Sequence, residues 1–230
     1  MRLVLLDTET TGLKVEEGHR VIEIGCIELS NRQVTDKKLH LYLNPEREID
    51  PGATQVHGMT WDQLKDKPLF SDVAHEFITF VSGAQLVIHN AAFDVGFLNE
   101  ELRRSGHSPV ASYCASIIDS LALARELHPG QRNSLDALCQ RYGVSNNHRT
   151  VHGALLDAQL LADVYLAMTR GQESLEINNE DQSIDQADVI TPADRARLLV
   201  RQASPKEQAL HRTMIDQLRQ ESGIAINWPS

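Results

Sequence analysis

Asp7 and Glu9 stand two apart at the end of a short apolar run, LVLL at residues 3–6. Residues i and i+2 of a strand share a face, so both carboxylates point the same way from a rigid, solvent-reached strand end. Two like charges held that close repel, and a divalent cation is the usual remedy. For an isolated D-x-E the plain alternative is a solvated strand-to-turn junction shaped by Thr8, Thr10, Thr11 and Gly12. A third acid, Asp94, follows a second apolar run, residues 86–88, in the segment His89-Asn90-Ala91-Ala92-Phe93-Asp94. It suits the N-terminal dipole of a helix, or a carboxylate delivered to the same sheet edge. His152 and Asp157 open the last helix of the compact region. Five residues of helix turn through about 500°, roughly 140° from eclipsed, so the histidine is placed just before the helix and Asp157 reaches inward from its second turn.

Taken singly, each of these residues has a bland reading. Together they supply four carboxylates and a histidine from distant parts of the chain. Hard oxygen donors of this kind suit Mg²⁺ or Mn²⁺. The three cysteines, Cys26, Cys114 and Cys139, are odd in number and widely spaced, which points to reduced thiols in a cytoplasmic protein and not to a zinc site.

The elements that must position these groups fill residues 1–170. Residues 3–6, 21–29 (VIEIGCIEL), 39–43 and 86–89 predict four strands. Helices are predicted over 71–81 with Ser71 as N-cap, 93–104, 117–127, 134–142 with Asn133 as cap and Gly143 beyond the end, and about 153–169. Three strands followed by alternating helix and strand imply an α/β fold, a mixed sheet flanked by helices. No segment approaches the roughly 20 apolar residues needed to span a bilayer, and the N-terminus does not read as a secretion signal.

After Gly171 the character changes. Residues 172–190 are acidic and poor in large apolar groups, which predicts a flexible linker. Residues 191–230 recover some pattern: 193–203 is basic and helix-like. Residues 206–222 carry Leu210, Met214 and Leu218 at four-residue spacing, Gly223 stops that helix, and 224–228 is apolar. This short tail has no core of its own, so a partner groove is the natural place for its apolar face. The net charge of −10 argues against a freestanding nucleic-acid binder, since phosphate neutralisation dominates such affinity. It is compatible with an enzyme that handles nucleic acid through metals or is delivered by a partner.

VLLDTETTG, VIHNAAFDVGF and HGALLDA resemble the three motifs of the DEDDh family of 3′→5′ exonucleases, in order, with VIEIGCIEL, QVHGMT and RNSLDALC as further matching segments. The likeness covers residues 1–170 and implies a ribonuclease-H-like fold. It also implies two divalent ions held by Asp7, Glu9, Asp94 and Asp157, and a general base at His152. A neutral imidazole with an ordinary pKa of about 6.5 suits that last role. The loop matching QVHGMT makes His57 a candidate contact to the terminal nucleotide of a DNA 3′ end, joined there by Asp7, Glu9 and Asp157. One departure is Gly52, where relatives often carry a glutamate. Gln172, Leu175 and Ile177 resemble a sliding-clamp-binding peptide, and their placement resembles that in proofreading subunits of bacterial replicases. That resemblance implies an exonuclease domain at 1–171, a linker at 172–190 and a polymerase-binding tail at 191–230, and leaves a small accessory subunit open. A linker of about 20 residues reaches roughly 25 Å, enough to tether a nuclease near a primer end. A freestanding ribonuclease that trims RNA 3′ ends, and a non-catalytic scaffold between polymerase and clamp, are the alternatives.

Overall fold

Apolar residues on both faces of the first strand put it in the middle of the sheet. The computed structural model describes residues 2–146, 151–170 and 203–222, with residues 218, 219, 221 and 222 by backbone alone. β1 (Arg2–Thr10) sends Val4 and Leu6 into one core and Leu3 and Leu5 into another. Alternation along a strand requires this split, and the double burial explains the unbroken apolar run.

β2 (Val21–Ser30) and β3 (Gln33–Tyr42) form an antiparallel hairpin. Asn31 and Arg32 turn it with φ of 48° and 61°, the positive pair that a tight hairpin loop needs. That turn lets β3 begin at Gln33, six residues before the expected start. β4 (Gln85–Ile88) and β5 (Ser116–Asp119) run parallel to β1, giving a five-stranded sheet in the order β3-β2-β1-β4-β5.

The short helices α1 (Pro51–His57) and α2 (Trp61–Leu64) precede α3 (Phe70–Val81) and α4 (Ala91–Arg104). Phe70, Phe77, Leu98 and Leu102 of α3 and α4 cover the Val4/Leu6 face. Next come α5 (Ser120–Leu127), α6 (Leu135–Tyr142) and α7 (Ala154–Met168). Leu138, Leu161 and Val164 of α6 and α7 pack on the Leu3/Leu5 face. This is the expected α/β architecture of a mixed sheet flanked by helices.

Several boundaries differ from expectation. Residues 117–127 do not make one helix. Ile117 and Ile118 are β-branched and join the sheet as β5, and Asp119 then caps α5 by accepting from the Leu121 and Ala122 amides. Ser71 is not the cap of α3, which starts one residue earlier; Asp72 Oδ2 instead accepts the Leu69 amide. Ser134, not Asn133, caps α6, because the Asn133 amide is spent on the carbonyls of His128 and Gln131. Gly143 ends α6 in the left-handed region (φ 68°), as expected.

The chain divides into two units, Met1–Glu176 and Ile177–Ser230. In the second, α8 (Pro205–Ser222) begins with a reciprocal cap. Ser204 Oγ accepts the Glu207 amide and Glu207 Oε2 accepts the Ser204 amide. Leu210 and Met214 are exposed on it. The expected linker, the clamp-like peptide Gln172/Leu175/Ile177, the helix-like stretch 193–202 and residues 223–230 lie outside the described residues. No described helix is long and apolar enough to cross a membrane.

Candidate active site

Two layers of helix converge on the end of β1. Asp7 and Glu9, both odd-numbered, leave the strand on the Leu3/Leu5 side, which α7 covers. Thr8 leaves on the opposite side, covered by α4. From that side Asp94, in the first turn of α4, places Oδ1 3.0 Å from the Thr8 amide and 2.7 Å from the Thr8 hydroxyl, and accepts from both. Asp94 is 4% exposed. Burial pushes its carboxyl up to about 6, against the downward pull of the Thr8 hydrogen bonds. The chain enters α4 through Asn90, held at φ 66°, an uncommon conformation for a residue other than glycine.

α7 supplies the other half. Its first residue is Ala154, and His152 lies just before it, behind the extended Gly153. Asp157 closes the first turn of the helix, not the second, because α7 starts no earlier than Ala154. His152 Nδ1 sits 3.2 Å from Asp157 Oδ2, a contact the 140° offset permits only because the histidine precedes the helix. Ligand atoms of Glu9, His152 and Asp157 lie within 4.8 Å of one another, a spacing and donor set able to hold a metal ion. Asp7 and Asp94 lie outside that group of three: Asp7 one pleat back on the same strand face, and Asp94 bound to Thr8.

His57 ends α1 and is 4% exposed, beside Gly58 in the left-handed region. The Met59 amide donates to its Nδ1 at 3.0 Å, so the neutral ring carries its hydrogen on Nε2. Burial holds its pKa below the ordinary histidine value. Nε2 is buried and has no well-formed hydrogen bond among the described residues. The His152 amide donates to the Val56 carbonyl at 3.1 Å, tying the His57 helix to the approach to α7. Beside them opens a cleft of about 590 Å³ lined by Gln55, Val56, Asp136, Gln140, Asn146, Val151 and His152. Gly52 sits exposed in the first turn of α1 with nothing within 4 Å of where a Cβ would stand, so packing does not demand a glycine there.

Three contributors escaped the motif reading: Thr8, Glu23 and Gly25. Glu23, directly opposite Glu9 in the β1–β2 register, is 2% exposed. Its Oε2 accepts the Ala154 amide at 3.1 Å and its Oε1 meets His40 Nε2 at 2.6 Å. The signal available was an acid inside the otherwise apolar VIEIGCI, a position that burial penalises unless the acid is paired.

A family of exonucleases, RNase_T, matches residues 4–165. The chain is 47% identical to the DNA polymerase III subunit epsilon of Salmonella typhimurium over 98% of its own length and 96% of that protein. For the Escherichia coli K12 subunit of the same name the identity is 46% with the same coverage. Among solved structures, exonuclease X bound to 5′-overhanging duplex DNA superposes with a TM-score of 0.58 at 26% identity, covering 73% of this chain and 90% of that one. The zinc-bound complex of E. coli exonuclease I with single-stranded DNA gives 0.64 at 20% identity, covering 75% and 41%, a likeness of fold.

Proposed function

The chain belongs to the exonuclease family, among the epsilon subunits of bacterial DNA polymerase III, and on that premise we propose that Asp7, Glu9, Asp94, Asp157 and His152 carry its reaction. It is a proofreading 3′→5′ exonuclease, a hydrolase of phosphodiesters acting with DNA and the polymerase. Exonucleases of this family work with divalent metal ions, and the cluster of Glu9, His152 and Asp157 fits one by spacing and by donor chemistry. The observation that carries the residue assignment is the arrival of Asp157 and His152 at Glu9 from one side of the sheet while Asp94 reaches Thr8 from the other.

We assign the four acids to two ions, Mg²⁺ or Mn²⁺. Once bound, these supply Lewis acidity at the scissile phosphate and ease deprotonation of water. The protein's own groups do the rest. His152 is 43% exposed, open to a water beside the phosphate. In the tautomer whose Nδ1–H donates to Asp157 Oδ2, Nε2 carries the lone pair that a general base needs. His57, neutral with its hydrogen on Nε2, is suited to donate to an oxygen of the terminal nucleotide. The cleft beside His152 is the natural seat for that nucleotide.

The parts beyond the nuclease unit carry delivery. We assign residues 1–171 to the exonuclease domain and 172–190 to a tether in the cytoplasm. Its opening peptide, Gln172, Leu175 and Ile177, binds the sliding clamp. Residues 191–230 bind the polymerase catalytic subunit, with the exposed Leu210 and Met214 of α8 as apolar anchors. Delivery by partners reconciles a net charge of −10 with a DNA substrate. The likeness to epsilon subunits runs through 98% of the chain, which favours this reading over a freestanding RNA-trimming enzyme or a scaffold.

The test uses a primer with a mismatched 3′ end, with and without the polymerase subunit. His152→Ala should slow release of nucleoside 5′-monophosphate by about 10²–10⁴-fold. A loss of only a few-fold would remove His152 as the base. A chain ending at Gly171 should keep its activity on free single strands and lose the stimulation by the polymerase. Equal stimulation of both chains would overturn the account of the tail.

A further inference from the structure

We propose that Glu23 is a positioning residue for the exonuclease reaction, acting through the start of α7; this rests on the assignment of His152 and Asp157 above. α7 opens behind Gly153, which has no side chain with which to cap the first amides, so an acceptor must come from elsewhere. Glu23 supplies it, with Oε2 3.1 Å from the Ala154 nitrogen. Its other oxygen is held at 2.6 Å by His40 on β3, and the His40 ring packs against Tyr42 with centroids 4.7 Å apart. The carboxylate is thus fixed from the sheet side before it reaches the helix, and its negative charge faces the positive end of the helix dipole.

Gly25, two residues further along β2, completes the seat. A Cβ at Gly25 would stand 2.2 Å from both the Ala154 carbonyl carbon and the Leu155 nitrogen, so the helix start rests directly on bare strand backbone. Gly25 sets how close α7 comes, and Glu23 sets where along the strand it stops. His152 lies two residues before Ala154 and Asp157 three after it, so any slip at Ala154 carries both away from Glu9. Glu23 lies opposite Glu9 in the strand register, which makes β2 the ruler against which the two halves of the site are aligned.

Glu28 provides the contrast within one strand. It is equally buried, at 3% exposure, and equally bonded, to Arg2, Thr35 and Lys37, but among the described residues none of these partners carries the site. The experiment compares Glu23→Ala, Glu23→Gln, Glu28→Ala and Asp157→Ala in the full chain. The readouts are kcat and KM on a single-stranded oligonucleotide, melting temperature, and hydrogen exchange at the Ala154 amide.

Glu23→Ala is expected to lower kcat by about 10²-fold with KM within a few-fold, the signature of misplacement of reacting groups. Glu23→Gln keeps an oxygen for the Ala154 amide, so kcat should stay within a few-fold of wild type and that amide should remain protected. Glu28→Ala should lower the melting temperature and leave kcat of the folded protein unchanged. The proposal is overturned if Glu23→Gln loses as much kcat as Glu23→Ala, or if Glu28→Ala loses as much at equal folded fraction. Should Glu23→Ala fail to fold, Glu23→Gln decides alone: an exchanging Ala154 amide with full kcat overturns the proposal, and a protected one with full kcat supports it. Full activity of Asp157→Ala would sink the underlying site assignment; an inactive Asp157→Ala beside a fully active Glu23→Ala would sink the Glu23 proposal alone.

Discussion

Asp94 and Asp157 reach the same strand end from opposite sides of one sheet, and they are held there differently. On the α4 side the acid itself is pinned. Asp94 Oδ1 takes two hydrogen bonds from Thr8, one from backbone, and the side chain is 4% exposed. On the α7 side the pinning is applied to the helix. Glu23 holds the Ala154 amide, Gly25 lets the backbone approach, and the Val56 carbonyl holds the His152 amide. The α4 side keeps a carboxylate in a preset position, whereas the α7 side leaves the His152 ring 43% exposed while fixing the backbone beneath it. On the roles proposed above, Asp94 as a metal ligand needs rigidity and His152 as a base that exchanges protons with water needs access, and each is held in the way its role requires.

The comparison breaks most severely at Gly25. Gly25→Ala places a methyl 2.2 Å from α7 backbone, where no flexible side chain can yield. The helix start must move, and His152 and Asp157 move with it. A misplacement of that order should cost on the order of 10²-fold or more in kcat. Overpacking should add about 1–3 kcal/mol of destabilisation. Measuring kcat beside a denaturation curve separates the two. Unchanged turnover would mean that α7 tolerates displacement and that the seat on β2 is dispensable.

A smaller effect is expected on the other side. Thr8→Val removes the hydroxyl that donates to Asp94 and keeps the amide that also donates, with little change of shape. The loss of one buried hydrogen bond costs about 0.5–1.5 kcal/mol, and turnover should fall by roughly tenfold, the factor that corresponds to about 1.4 kcal/mol of barrier. A Thr8→Val loss as large as that of Gly25→Ala would contradict the division between a doubly held acid and a helix held at its end.

The same contrast explains what the sequence disclosed. The acids of β1, α4 and α7 were legible because D-x-E, the acid after HNAAF and the HGALLD segment each put a chemically demanding residue near the end or start of an element. The central strand was legible because LVLL is apolar on both faces. Their supports were not legible in the same way. Thr8 reads as turn chemistry until the strand is seen to extend to Thr10. Gly25 reads as a weak spot in a strand until a helix is laid on it. Both roles depend on which layer covers which face, a tertiary fact absent from local pattern. β5 was misread for a related reason: SIID followed by SLALAREL has helical spacing throughout, and only the neighbouring β4 decides that Ile117 and Ile118 pair as strand.

The last effect concerns charge on the α4 side, is read in stability and not in turnover, and has a definite sign. Burial holds the Asp94 carboxyl at about 6 in the folded chain, above its ordinary value of 3.8. Below about pH 4 the group is protonated in folded and unfolded chains alike and costs nothing. Between about pH 4 and 6 the unfolded chain releases the proton while the folded chain keeps it, so stability falls as pH rises. Above pH 6 the deficit is constant, on the order of 2–3 kcal/mol at 1.36 kcal/mol per pKa unit. Asp94→Asn can still accept from Thr8 but cannot titrate, so in EDTA the stability of wild type relative to Asp94→Asn should decline across that window and level off above it. Added Mn²⁺ should stabilise wild type above pH 6, where the Asp94 carboxylate is ionised, more than it stabilises Asp94→Asn, which keeps only the cluster of Glu9, His152 and Asp157 and the neighbouring Asp7, because an ion that binds only the folded chain stabilises it in proportion to its affinity. Denaturant midpoints from pH 4 to pH 8, with and without Mn²⁺, give both curves. A wild-type advantage that grew with pH in EDTA would reverse the sign and show Asp94 ionised in the folded chain without metal, held by Thr8 more strongly than burial opposes it.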